Sequence, residues 1–263
     1  MRPVEPLFSL RGIGFGYPGG KRIFESLDFD LRPGERVAIV GGNGAGKTTL
    51  LHLLVGLRKP AAGRLSAFGR ERCREADFRE VRARAGLLFQ DADDQLFCPT
   101  VLEDVAFGPL NLGKSREEAR HIALKTLATL GLHGFGERIT HKLSGGEKRM
   151  VTLAAVLAMQ PDALLLDEPT NGLDTAAHDR LVEHLDSLPQ AMLLVSHDGR
   201  LVERLAERVV LLQDGRLHEA HAHLHPHRHG HTHLHIHPLS AAGDHGSTTH
   251  DLLDEPLEVG RPG

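Results

Sequence analysis

The segment Gly41-Gly42-Asn43-Gly44-Ala45-Gly46-Lys47-Thr48 sets a glycine, four residues and then Gly-Lys-Thr in one loop. That order suits chemistry on polyphosphates. Glycines let successive backbone N–H groups face one anion, and a helix starting there adds partial positive charge. Gly41, Asn43, Gly44, Ala45 and Gly46 would cradle the phosphates, Lys47 would reach the β- and γ-phosphates as a point charge, and the Thr48 hydroxyl would bind Mg²⁺. Thr49 completes this nucleotide-binding set. The sequence predicts a protein that binds a nucleoside triphosphate.

The loop needs a strand before it and a helix after it. Arg36-Val-Ala-Ile-Val40 is a short apolar run with a β-branched bias, and Lys47 to Leu57 has the length and leucine content of a helix. A second strand, Ala163-Leu-Leu-Leu-Asp167, ends in the carboxylates of Asp167 and Glu168. Phosphate-loop ATPases hold Mg²⁺ with a carboxylate at such a strand end, which assigns Asp167. Glu168 would then face the γ-phosphate and polarise the attacking water, by positioning more than by proton affinity. A third strand, Ala191-Met-Leu-Leu-Val195, leads into Ser196-His197-Asp198, at the edge where open α/β sheets bind ligands. His197 is a candidate γ-phosphate contact.

Three further features leave more than one reading each. Gln90 ends a strand, Gly86-Leu-Leu-Phe-Gln90, where it could ligate Mg²⁺, orient a water or only cap the strand. Tyr17, in Phe15-Gly-Tyr-Pro-Gly-Gly20, could stack on a base or be an ordinary half-exposed strand aromatic. Ser144 and Glu147 satisfy a capping box, while Gly145 and Gly146 leave bare N–H groups at a helix start, a second phosphate-facing element. A single ATP does not readily need both elements from one chain.

The remaining elements follow the same rules. Leu27-Asp-Phe-Asp-Leu31 alternates as a half-buried antiparallel strand does, a short strand is predicted near 64–68, and the charged stretch 70–84 predicts a solvated helix. From Val101 to about His141 the pattern is helical, with a capping box at Ser115 and Glu118. The long helix after Ser144 is predicted to run from Glu147 to about Gln160, and Arg208–Leu212 with the turn at Asp214-Gly215 closes the fold.

Composition bounds the function. The chain has 263 residues and a net charge of −4, so no broad basic surface points to nucleic acid. Its two cysteines, Cys73 and Cys98, form no metal or redox spacing, which suits a reducing cytosol. The N-terminus lacks a continuous apolar signal core, and no run of about 18 apolar residues predicts a membrane span.

Taken together, these residues resemble the ATP-binding subunit of ABC transporters over roughly residues 5–217. Five separated elements occur in that family's order: the phosphate loop, Gln90, Leu143-Ser-Gly-Gly146, Leu164-Leu-Leu-Asp-Glu168 with Asn171–Asp174, and His197. The resemblance implies an α/β phosphate-loop ATPase core, an N-terminal antiparallel β subdomain and an inserted helical subdomain at about 97–142. It further implies that Tyr17 stacks on adenine, Glu168 positions or activates water and His197 contacts the γ-phosphate. Two such subunits, identical or paralogous, would sandwich two ATP molecules head to tail. Ser144, Gly145 and Gly146 of one would face the γ-phosphate held by the other.

Within that family, Gln90-Asp-Ala-Asp-Asp-Gln-Leu-Phe97, Pro99-Thr-Val, Glu103-Asp-Val-Ala-Phe-Gly-Pro-Leu110 and Lys148 resemble the energy-coupling-factor importers, especially their cobalt and nickel branch. This implies a peripheral ATPase at the cytoplasmic face of the cell membrane. Its partners would be a membrane-embedded coupling subunit and a separate substrate-binding membrane subunit. Vitamin importers share much of this segment. A soluble ABC ATPase of DNA repair or translation is disfavoured, because the chain has neither heptads nor an internal repeat.

Twelve of the 19 histidines lie between His218 and His250. His221, His223, His225, His227, His229, His231, His233, His235 and His237 occupy every second position; in an extended chain they would share one side, spaced about 7 Å apart. Pro226, Gly230 and the lack of an apolar face predict a disordered tail over 218–263. Imidazoles suit Ni²⁺, Co²⁺ or Zn²⁺, so the tail is expected to handle transition metal unless it is only low-complexity sequence. A second reading keeps the import machinery, carries a vitamin or zinc, and leaves the tail as a metal buffer.

Overall fold

The computed structural model describes residues 5–226 and 232–238. Strands β1 (Phe8–Gly16) and β2 (Arg22–Leu31) pair antiparallel, as the alternation in the second predicts. β3 (Arg36–Val40) leads through the glycine loop into α1 (Lys47–Leu54). β4 (Ala62–Ala67) and the two-residue β5 (Arg70–Glu71) complete a four-stranded sheet of order β2-β1-β4-β5.

The charged stretch departs from expectation. Only its second half is an α-helix, α2 (Phe78–Arg84), preceded by the strand β5 and a 3₁₀ turn at Glu75–Asp77. Nor is it solvated throughout: Arg70, Glu71, Arg74, Glu75 and Arg79 are exposed, but three residues turn inward. Arg72 is buried, with Nε and Nη2 donating to the Ala67 carbonyl at 3.1 and 2.9 Å and Nη1 reaching Glu80 at 2.8 Å. Phe78 and Val81 are buried as well, each worth about 1.5–3 kcal/mol relative to exposure. Satisfied arginine and a two-residue apolar stripe outweigh what charge content suggests.

β6 (Ala85–Leu88) then joins the central sheet. α3 (Val101–Asn111) and α4 (Arg116–Thr129) follow, each with a capping box, at Thr100/Glu103 and Ser115/Glu118. α5 (Gly145–Leu157) starts two residues before the predicted point, because Ser144 is its N-cap and both glycines lie in its first turn. β7 (Ala163–Asp167), α6 (Thr175–Asp186), β8 (Ala191–Val195), α7 (Gly199–Leu205) and β9 (Arg208–Gln213) complete the core.

The central sheet has the order β9-β3-β8-β7-β6 across five parallel strands, and alternate side chains feed two cores. Val37 and Ile39, with Leu165 and Leu193, face α1, α2 and the antiparallel sheet. Ala38, Val40, Leu164, Leu166 and Leu194 face the helices α3 to α7. Burial on both faces explains why these strands read as continuous apolar runs.

The expected disordered tail finds no support. β10 (Arg216–Pro226) pairs antiparallel with the edge strand β9 as far as Ala220↔Val209, and Ala220 is buried. β10 then pairs with β11 (Thr232–Pro238), placing His221 opposite His237, His223 opposite His235 and His225 opposite His233. An open edge strand offers backbone donors and acceptors that a sequence without an apolar face can still use. His227, His229 and His231 lie outside the described residues, and metal binding by the histidines rests on side chains that also lie outside them. Among the described residues no helix is long and apolar enough to cross a membrane.

Candidate active site

β3, β7 and β8 run parallel, so their C-terminal ends bring the glycine loop, Asp167-Glu168 and Ser196–Asp198 to one edge of the sheet. The glycines there meet steric demands. Gly41 has φ 154°, and a Cβ would stand 2.5 Å from the Leu212 carbonyl oxygen. Gly46 has φ 106°, and a Cβ would stand 2.5 Å from Ile23 Cγ2. Lys47 Nζ arches back over the loop, donating to the carbonyls of Gly41 at 2.8 Å and Gly42 at 3.1 Å.

A cleft of about 360 Å³ gathers Asn43, Gly44, Gly46, Lys47, Thr48, Thr49, Tyr17, Gln90, Asp167, Glu168 and His197. Ala45 packs, half-buried, against the core beneath the loop. Tyr17 is 38 % exposed; its hydroxyl lies 3.2 Å from Thr49 Oγ1 and Arg58 stands over its ring at 5.4 Å. The ring is thereby positioned at the cleft wall.

Asp167 is almost fully buried, and burial pushes its carboxyl above the usual range; the Thr48 hydroxyl pulls it down and Glu168 adds to the rise. Its Oδ1 is buried without a hydrogen-bond partner. A buried, unpaired carboxylate oxygen next to a threonine hydroxyl is a hard donor set matched by Mg²⁺, so the residues present fit that ion.

Glu168 has φ +43°, a left-handed backbone rare for a side chain of its size. The turn is held by its own N–H, which donates to the Val195 carbonyl at 2.8 Å. Strain of this kind concentrates where a side chain must be aimed. The Glu168 carboxylate is 2.9 Å from His197 Nδ1, and this hydrogen bond, against the opposing effect of burial, raises the His197 pKa above 6.5.

A neighbouring cleft of about 570 Å³ shares Thr48, Gln90 and Asp167 and adds Gly145, Asn171, Gly172 and the acidic loop at Asp91, Asp93 and Asp94. Of the predicted second phosphate-facing element, only Gly145 reaches that wall, and none of Ser144, Gly145 and Gly146 lines the cleft of Lys47 and Glu168. The two glycines also differ. A Cβ on Gly145 would meet open space, whereas one on Gly146 would stand 2.8 Å from Ala177 Cβ on α6. Gly146 lets two helices approach; Gly145 leaves a bare helix start.

Sequence reasoning missed Arg149. It is 3 % exposed, and its guanidinium donates to the carbonyls of Phe89 at 2.6 Å, Gln90, and Glu168 at 3.4 Å. Burial lowers its pKa, opposed by Asp91 and Asp167. Gln90 does not end a strand as expected: β6 stops at Leu88, and Gln90 lies in the loop beyond it, which this one α5 side chain joins to the end of β7 at Glu168. Gln95 was missed too: it bonds the Phe89 amide at 3.2 Å and the Leu87 carbonyl at 3.0 Å, shaping the loop that leaves Gln90 exposed. Asp198 caps α7 through the amides of Arg200 and Leu201, which its place before a helical run could have signalled. Lys148 pairs with Asp93 at 2.5 Å, tying α5 to the acidic loop.

A family model described as ABC transporter matches residues 24–171. An ABC transporter ATP-binding protein of Brucella suis biovar 1 (strain 1330) is 53 % identical over 81 % of this chain and 89 % of its own length. The cobalt import ATP-binding protein CbiO of Rhodobacter capsulatus is 46 % identical over 81 % of this chain and 78 % of its own. The nickel import ATP-binding protein NikO of the same organism is 43 % identical, covering 82 % and 89 %. Among solved structures, cbiO1 of Clostridium perfringens, part of the ABC transporter complex cbiONQ, superposes with a TM-score of 0.73 at 31 % identity, covering 81 % of this chain and 86 % of that one. The cassette MJ0796, a post-hydrolysis dimer bound to ADP and phosphate, superposes with a TM-score of 0.73 at 26 % identity, covering 80 % and 96 %.

Proposed function

The chain belongs to the ABC transporter family as an ATP-binding ATPase subunit, and from that premise we propose that it powers import of nickel or cobalt through an energy-coupling-factor complex. The observation that carries the ATPase roles is one cleft that holds Lys47, Thr48, Asp167, Glu168 and His197 together. The cargo rests on similarity to proteins named for cobalt and nickel import, with the histidine-rich segment in support.

The loop amides and Lys47 bind the phosphates, and the ammonium exchanges its two carbonyl contacts for phosphate oxygens. Bound Mg²⁺, held by Thr48, Asp167 and Gln90, would supply charge neutralisation on those oxygens. Tyr17 stacks on the adenine. Glu168, aimed by its left-handed backbone, orients the attacking water, and His197 both holds that carboxylate and contacts the γ-phosphate.

Ser144, Gly145 and Gly146 complete the site of a second subunit in a head-to-tail dimer, which their absence from the Lys47 cleft favours. The division into an ATPase domain over 5–217, with helical subdomain at 97–142, and a metal-handling segment over 218–263 belongs to the same proposal. The membrane coupling subunit docks beside the Gln90 loop. There Phe97 and Phe107, 65 % and 44 % exposed, stack edge to face at 4.8 Å, and Leu110 and Leu112 at the end of α3, the helix of Phe107, are exposed too. The protein would then sit at the cytoplasmic face of the cell membrane.

Uptake of radioactive nickel and cobalt, in cells carrying the chain with its membrane partners, tests the reading. Uptake present in wild type and lost in Glu168→Gln is the expected result. If neither ion moves, the metal cargo is wrong, and a vitamin or zinc takes its place on the same machinery.

A further inference from the structure

His178, on α6, ties this helix to the loop carrying His197. It is 8 % exposed, and its Nε2 lies 2.7 Å from Asp198 Oδ2. The same oxygen accepts the Thr170 hydroxyl at 2.9 Å, two residues beyond Glu168. Asp198 Oδ1 takes the amides of Arg200 and Leu201 at 3.0 and 3.3 Å, and the Asp198 amide donates to Ser196 Oγ at 3.0 Å. Burial pushes the Asp198 carboxyl up, but donors from Thr170, His178 and the Leu201 amide outweigh it and hold the group below the usual carboxylate range. An anion gripped by four donors does not drift, and its neighbour in sequence is His197.

We propose that His178, Thr170 and Asp198 form a clamp that positions His197 against Glu168, with His178 as a positioning residue for ATP hydrolysis. The chain from Glu168 to Thr170 and the chain from Ser196 to Asp198 leave adjacent strands and are joined at this edge through two residue pairs: Glu168 with His197, and Thr170 with Asp198. His178 braces the second link from α6, whose N-cap Asp174 ends the turn 171–174. A displacement of about 1 Å in a water-orienting group can lower turnover up to about a hundredfold, so a brace this close to the site has kinetic reach. The proposal rests on the roles assigned to Glu168 and His197.

Steady-state ATP hydrolysis by the purified full chain tests it. His178→Met keeps apolar volume and removes the donor; kcat should fall about tenfold while KM for ATP changes less than twofold, because the phosphate loop is untouched. His178→Gln, whose amide nitrogen can occupy the Nε2 position, should restore most of the rate. Thr170→Val, which removes the other side-chain donor, should lower kcat in the same sense and serves if His178→Met fails to fold. In a His197→Ala background His178→Met should cost nothing further, since the clamp acts through His197. A parental kcat in His178→Met, an equal loss in the His197→Ala background, or no recovery with His178→Gln would each overturn the clamp. Turnover by Glu168→Gln at the parental rate would instead remove the reading on which it rests.

Discussion

His197 places two donors on one oxygen of Glu168: Nδ1 at 2.9 Å and its own backbone N–H at 3.3 Å. The carboxylate is therefore held by His197 while the Glu168 backbone N–H is held by the Val195 carbonyl, both from the β8 side, and little rotamer freedom remains to lose when water binds. A carboxylate so fixed works by orientation, which suits a weak base beside a γ-phosphate.

Glu168→Gln should cut ATP turnover by about a hundredfold or more while ATP binding persists. The same variant should accumulate as an ATP-bound dimer, read by size-exclusion chromatography with light scattering. Turnover at the parental rate would place water activation elsewhere.

The His197 contact carries a pH signature. Its hydrogen bond to Glu168 raises the folded-state pKa above the ordinary 6.5. The stabilisation it gives is thus fully present below pH 6.5 and is lost as pH rises through the higher folded value. The Tm difference between wild type and His197→Ala should be widest on the acid side and close with rising pH. A gap that widened with pH would contradict the pairing.

Gly145 and Gly146 should separate packing from function. Gly146→Ala drives a methyl against Ala177 and should destabilise the fold by about 1–3 kcal/mol, seen as a lowered denaturation midpoint. Gly145→Ala adds its methyl to open space and should leave stability unchanged or slightly raised, yet lower turnover by obstructing a partner's γ-phosphate. Full activity in Gly145→Ala would argue against that shared site.

The β9–β10 ladder dictates how the histidine-rich segment must be removed. A chain ending at Ala220 keeps the pairs from Gln213↔Arg216 to Val209↔Ala220 and should hydrolyse ATP normally. Calorimetry should show Ni²⁺ binding in the full chain, collapsing below about pH 6.5 as imidazoles protonate, and none of comparable stoichiometry in the shortened one. Unchanged binding after truncation would remove the segment from metal handling.

The features legible in the sequence are those set by near neighbours. A glycine loop between strand and helix, carboxylates at the end of an apolar run, and Ser-x-x-Glu before a helix each impose local geometry, and Ser115 and Ser144 cap the helices they announce. Their chemistry follows from residue type and spacing within a few positions. The charged stretch 70–84 and the start of the histidine segment depart from their sequence patterns for the converse reason. Arg72 finds backbone carbonyls across a turn, and β10 finds the edge of β9, partners that composition does not display. Tertiary structure alone decided the contacts that aim the site. Arg149 reaches Gln90 across 59 residues, and Asp198 joins Thr170 across 28 and His178 across 20. Such meetings depend on parallel strands ending at one edge, and strand order is settled by the packing of two whole cores rather than by any segment's own pattern.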